Sequence, residues 1–150
     1  HSSETRALLA GGSTPSTDHV NIIDFITISS TGNGVDFGDS TLLVGGRHCV
    51  GSPTRGLNMA GDVPGGSTNS IDFITIATTG NAQDFGDMQT GGSGKSCSNS
   101  IRAVSFVGTA KQLDTTIIAT LGNSASFGEL TQNNDGGSFS TNDPTRGLFG

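Results

Sequence analysis

Apolar and polar residues alternate along this chain in short runs, and no run keeps the 3.6-residue spacing of a helix. IIDFITISS (22–30), SIDFITIAT (70–78) and LDTTIIATL (113–121) are rich in β-branched residues and read as strands. Each is followed by a turn, TGNG (31–34), TGNA (79–82) or LGNS (121–124), in which Gly-Asn is expected to supply the positive φ angles of a tight hairpin. A further short strand comes next, VDFGD (35–39), QDFGD (83–87) or ASFGE (125–129). Upstream of each set lies a buried-strand pattern, ALLAGG, GLNMAG or AVSFVG, which ends on a glycine, and a last one, GLFG, closes the chain. LLVGG (42–46) is the candidate for a fourth strand in the first set, whereas MQTGGSG and LTQNNDGGSFS are too polar to assign.

The pattern repeats as a unit. Residues 24–39 and 72–87 differ at only four positions, and arginines stand at 6, 55, 102 and 146, at intervals of 49, 47 and 44. The third set is the most divergent: Arg102 to Phe127 spans 25 residues, against 31 from Arg6 to Phe37 and 30 from Arg55 to Phe85. A period of this size marks a repeat architecture, in which each unit buries its apolar face against a neighbour. Three units with three or four short antiparallel strands predict an all-β fold of β-propeller blades. The whole of 1–150 reads as one repeat domain, with units at about 5–53, 54–100 and 101–144 and the start of a fourth at 145–150. Propellers usually hold four to eight blades, so further blades or a second chain are expected to complete the ring. The chain opens on His1, as a processed product or a fragment would.

Composition narrows the class. Glycine accounts for 24 of 150 residues, apolar residues for 31% and charged residues for 13%, with a net charge of −6. The glycines fall at fixed offsets between strands, as turn residues do. No basic stripe offers itself to nucleic acid, and no apolar run approaches the ~20 residues that span a bilayer. Cys49 and Cys97 lie about one repeat apart, so equivalent places in neighbouring units are expected, as two packed thiols rather than a bridge. One Cys per unit with His48 is too few ligands for a metal site.

Charged residues fall into columns: the four arginines; Asp24, Asp72 and Asp114; Asp36 and Asp84; Asp39, Asp87 and Glu129. A structural ladder is expected, in which each arginine fork meets a carboxylate of its own or the next unit. A ring of arginines gripping an anionic sugar is the functional alternative. Asp-Phe-Gly lacks the other kinase motifs, Asp36 and Asp39 offer too few oxygens for calcium, and no G-x-S-x-G elbow frames a hydrolase. The acids are tied into the repeat rather than paired across a sugar. The chain therefore reads as a non-enzyme without a cofactor. Its loops are rich in Ser, Thr, Asn and Gly, which suits glycan hydrogen bonding. His19, Asn69, His48, Lys95 and Phe139 are the loop candidates for ligand binding, and Phe37, Phe85 and Phe127 are expected to share one structural setting.

Gly11-Gly12, Phe25 and Phe37 in the first unit, with Phe73 and Phe85 in the second, resemble the Kelch-like group, in which Gly-Gly follows the first strand and aromatics stand in later ones. The chain departs from that pattern in lacking Tyr and Trp, in having Ala60-Gly61 and Val107-Gly108, and in placing Thr115 where the first aromatic stands. The copper oxidases built on Kelch propellers use tyrosines at the metal, which this chain does not have. More specifically, IDFITIATTGNAQDFGD with TRGL upstream resembles repeats of tail-fibre and other virion proteins of marine and cyanobacterial phages. That resemblance implies an extracellular or virion setting and a structural role. It also implies partners among further blades, other virion proteins or a host-surface glycan. A secreted or surface lectin that closes a six-bladed ring by dimerisation is the alternative.

Overall fold

The structure, a computed structural model, describes residues 1–16, 19–108, 110–133 and 140–149, and among these it is all-β, without a helix. Strands β1 (Arg6–Gly12), β2 (Val20–Thr27) and β3 (Val35–Asp39) form a first antiparallel sheet in that order. Strands β4 (His48–Gly51), β5 (Arg55–Val63), β6 (Gly66–Thr75) and β7 (Gln83–Asp87) form a second. A third holds β8 (Gly94–Ser98), β9 (Arg102–Val107), β10 (Gln112–Ile117) and β11 (Ala125–Glu129). Strands β12 (Ser140–Asn142) and β13 (Gly147–Phe149) make a two-stranded fourth.

The fourth strand of each sheet lies elsewhere than LLVGG. Within 42–46 only Gly45 makes a bridge, to Asp62, and the strand is the following HCVG, paired through Val50↔Leu57 and His48↔Met59. It leads its sheet rather than closing the previous one. Its counterpart GKSCS is built from Gly, Ser and Cys, so the usual alternation of Val and Ile is absent and the polar passage hid it. His1 and Ser2 begin the same strand for the first sheet, where the Leu8 amide donates to the His1 carbonyl at 2.9 Å and Ser2 bridges Ala7. The cysteines are offset by one place as a result. Gly51 stacks on Ser98, whose hydroxyl bonds both its amide and its carbonyl, so Cys49 matches Ser96 and Cys97 matches Val50. Successive strand residues face opposite sides, and the two free thiols therefore point to different faces.

Apolar packing runs between sheets as well as within them. Leu8, Ile23 and Phe37 of the first sheet pack with Ile74, Ile76 and Ala82 of the second. Leu57, Met59, Ile71 and Phe85 of the second pack with Ala103, Val107 and Ile118 of the third. Each such side chain contributes about 1.5–3 kcal/mol by leaving water, so a unit gains its stability from the next. The β5–β6 pairing shifts register at Met59/Gly61, where Ala60 takes φ 46°, the one positive φ outside glycine among the described residues. Gly11 holds the equivalent bulge in the first sheet with φ 68°.

Candidate functional site

The most elaborate chemistry in the molecule is a seam between successive units, and it occurs twice. Nη1 of Arg6 donates to the carbonyls of Ile76 (2.9 Å) and Ala77 (3.1 Å), and Nη1 of Arg55 donates to those of Ile118 (2.9 Å) and Ala119 (3.0 Å). The same guanidinium groups lie over the Phe25 and Phe73 rings of their own units, at 4.7 and 4.6 Å. The expected arginine–carboxylate ladder is thus replaced by an arginine–carbonyl clasp. Just past the end of β6, Ile76 and Ala77 turn two successive carbonyls toward the first unit, and the two hydrogens of one guanidinium nitrogen meet both. Arg102 and Arg146 are exposed, and neither guanidinium has an acceptor among the described residues.

Gly-Asn completes the clasp. The Gly80 and Ala82 amides donate to the carbonyls of Phe37 (2.7 Å) and Asp39 (2.8 Å), while the Asp39 amide donates to the Asn81 side-chain oxygen at 3.1 Å. Gly122, Asn123 and Ser124 bind Phe85 and Asp87 in the same way, at 2.9, 3.0 and 2.8 Å. The asparagine oxygen stands where a backbone carbonyl would continue the ladder. Asn81 does not itself adopt positive φ, so the tight-hairpin expectation for Gly-Asn gives way to an inter-unit role. Gly80 does, at φ 152°, and a Cβ on Gly38 would fall 2.5 Å from its carbonyl oxygen, which explains the glycine of Asp-Phe-Gly-Asp.

The Asp72 column ends at the same seam. The Asp72 carboxylate, fully buried, accepts from the Thr41 amide (3.1 Å), the Thr41 hydroxyl (2.5 Å) and Nη1 of Arg47 (2.7 Å). Arg47, outside the repeated arginine column, makes the one salt bridge among the described residues, and its side chain is 1% exposed. Asp114 accepts from the Gln89 amide at 3.0 Å and from Gln112 at 2.9 Å. Asp24 of the first unit is exposed.

The ligand-binding candidates are scattered. Asn69 lies in β6 and donates to the Met88 carbonyl at 2.9 Å; Lys95 lies in β8. His19 borders β2, and Phe139 lies outside the described residues. His48 lies in β4, buried, with Nδ1 against the Ser96 hydroxyl, which in turn bonds the Ser105 hydroxyl at 2.8 Å. Burial first, then the charges of Lys95 and Arg47, push its pKa from 6.5 down to about 3. A neutral, buried imidazole of such low basicity is a poor general base near neutral pH. No cluster of three or more His, Cys, Asp or Glu that could hold a metal occurs among the described residues, and no described helix could cross a membrane.

One column escaped the sequence reading. Three residues before each arginine, the side-chain oxygens of Ser3, Ser52, Asn99 and Asp143 accept from the arginine amide, at 3.1, 3.1, 2.8 and 2.8 Å. Ser, Asn and Asp are the turn-capping types, and counting back from the arginines would have found them. These turns line a shallow groove of about 680 Å³, with Ser52, Asn99 and Asp143 among its walls. A second groove, of about 470 Å³, opens between β11 and β13 on the outer face of the third sheet. No known family model matches the chain, and none of the curated proteins matches it either.

Proposed function

We propose that the chain is a non-enzymatic structural and binding module, a Kelch-like propeller segment of a virion appendage of the phage tail-fibre kind. Its sheets serve as blades, and its loops are displayed toward a host surface or glycan. The observation that carries this reading is the twofold recurrence of one seam. The most regularly repeated residues, Arg6 and Arg55, Gly80–Asn81 and Gly122–Asn123, Asp72 and Asp114, all join units to one another. A frame of constant strands that carries dissimilar polar loops suits display. Labelled chain should adsorb to a subset of bacterial cells and lose that adsorption after periodate oxidation of their surface sugars. Absence of adsorption across a broad panel, with a silent glycan array, would contradict the display role.

A secreted or surface lectin is the second reading, favoured by the polar turns that line the 680 Å³ groove. Native mass spectrometry separates the two: a discrete dimer that binds sugar by itself supports the lectin with a six-bladed ring.

A further inference from the structure

One group of polar side chains takes no part in the seams. It stands on the rim that carries the β1–β2 connection and the β5–β6 hairpin, over the dipeptide Gly45–Gly46. The Gly45 amide donates to the Asp62 carbonyl and the Asp62 amide to the Gly45 carbonyl, both at 2.9 Å, which seats the end of β5 on this dipeptide. The Gly61 amide reaches the Gly92 carbonyl at 3.1 Å and brings in the connection before β8, whose Ser93 hydroxyl donates to Asp62 Oδ2 at 2.5 Å. From the other side, the His19 ring and the Ser13 hydroxyl rest on Gly45: a Cβ there would fall 2.7 Å from His19 Cδ2 and 3.1 Å from Ser13 Oγ. A Cβ on Gly46, which has φ 62°, would run into the Ser93 hydroxyl and lie 3.3 Å from Asp62 Oδ2. Only glycine at both places lets the four side chains converge.

Much of their hydrogen-bonding capacity is unused. Asp62 Oδ1 accepts nothing among the described residues, and the buried Nδ1 of His19 has no partner there. A cluster that only pinned the loops would close on itself, as Ser93 and Asp62 do, and the imidazole does not. Ser13, Gly46 and Ser93 are exposed, and His19 and Asp62 are half-buried, so solvent reaches the group. A carboxylate accepts, a neutral imidazole has one donor and one acceptor, and a hydroxyl serves as either. Two adjacent hydroxyls of a sugar ring match that set. Charge narrows the choice further. Asp62 is the one acidic side chain of the cluster, and Arg47, whose Cγ approaches Gly61, is 1% exposed and held by Asp72. The cluster thus offers an acidic sugar no exposed cation, and its carboxylate repels one.

We propose that this cluster is a binding site for a single neutral sugar residue, whose vicinal hydroxyls are held by the Asp62 carboxylate and the His19 ring. Resting on the display role above, the site gives that role an address on the loop rim and a preference for uncharged rings. Hydrogen bonds alone hold the ring, so one site binds weakly, and firm adhesion comes from several sites engaged together.

The test is a titration of the full isotope-labelled chain with methyl β-glucoside, methyl β-galactoside and methyl α-mannoside, followed through backbone amide shifts. Methyl β-glucuronide serves as the charged counterpart of the first. Saturable shifts at Gly45, Gly46 and Asp62 are expected with at least one neutral glycoside and not with the glucuronide. Asp62→Ala and His19→Phe should each weaken binding about tenfold, the worth of one charge-assisted bond, with melting temperatures close to that of the native chain. Absence of saturable shifts with all three neutral glycosides, an equal response to the glucuronide, or unchanged affinity in both variants overturns the assignment. If it is overturned while labelled chain still adsorbs to cells in a periodate-sensitive way, the display role stands without this site.

Discussion

Phe85 and Phe127 stand at the same place in consecutive units, yet one is 3% exposed and the other 51%. The same contrast runs through the molecule from its middle to its ends. Ile76 and Ile118 are buried while Ile28 is 52% exposed; Asp72 and Asp114 are buried while Asp24 is open. Residues at matching places in the repeat thus differ in burial according to whether a neighbouring unit covers them. The unit is stable by stacking, as in other repeat proteins, in which nearest-neighbour contacts dominate.

Paired substitutions sharpen this contrast. Phe85→Ala should lower unfolding free energy by about 3–5 kcal/mol, as for a buried aromatic, whereas Phe127→Ala should stay within about 0.5 kcal/mol. Denaturant melts of both variants check this, and equal losses would break the comparison. Asp72→Ala leaves Arg47 charged and buried without its partner and should cost about 3–5 kcal/mol; Asp24→Ala at the exposed end should cost almost nothing by the same melts. Arg55→Ala gives up two charge-assisted bonds and should cost about 1.5–3 kcal/mol, with Arg102→Ala close to neutral. Arg55→Lys should recover only part of that loss, because a compact ammonium cannot lie flat over the Phe73 ring while it reaches both carbonyls.

Acid supplies a milder probe of the second seam. His48 is held neutral in the folded chain, with its pKa lowered to about 3, while the unfolded chain takes up that proton below 6.5. The unfolded state binds more protons in this window, so the His48 contribution is complete above pH 6.5 and erodes as pH falls toward 3. The slope is about 1.4 kcal/mol per pH unit at most. Melting temperatures from pH 7 to pH 5 should fall more steeply for the native chain than for His48→Asn.

Much of this was legible in the sequence. The β-branched runs at 22–30, 70–78 and 113–121 gave β2, β6 and β10, because their side chains are both strand-forming and core-forming. The leading strands HCVG and GKSCS were not legible, since they are short, carry Gly, Ser, Cys and His in place of alternating Val and Ile, and are held by backbone ladders to β5 and β9 that any residue can make. Gly-Asn was visible as a motif, but its partner lies about 42 residues away in the previous unit, and local turn rules assign it to a hairpin. The arginine column was visible as well. Its acceptors are backbone carbonyls, which every residue has and no sequence pattern marks.

The claim that a repeated clasp joins the units is tested most directly by amide hydrogen exchange in the unmodified chain, followed residue by residue by NMR. Gly80, Ala82, Gly122 and Ser124 donate across the seams and should exchange orders of magnitude more slowly than the matching Gly32 and Gly34 of the uncovered first unit. Equal, fast exchange at all six amides would contradict the account.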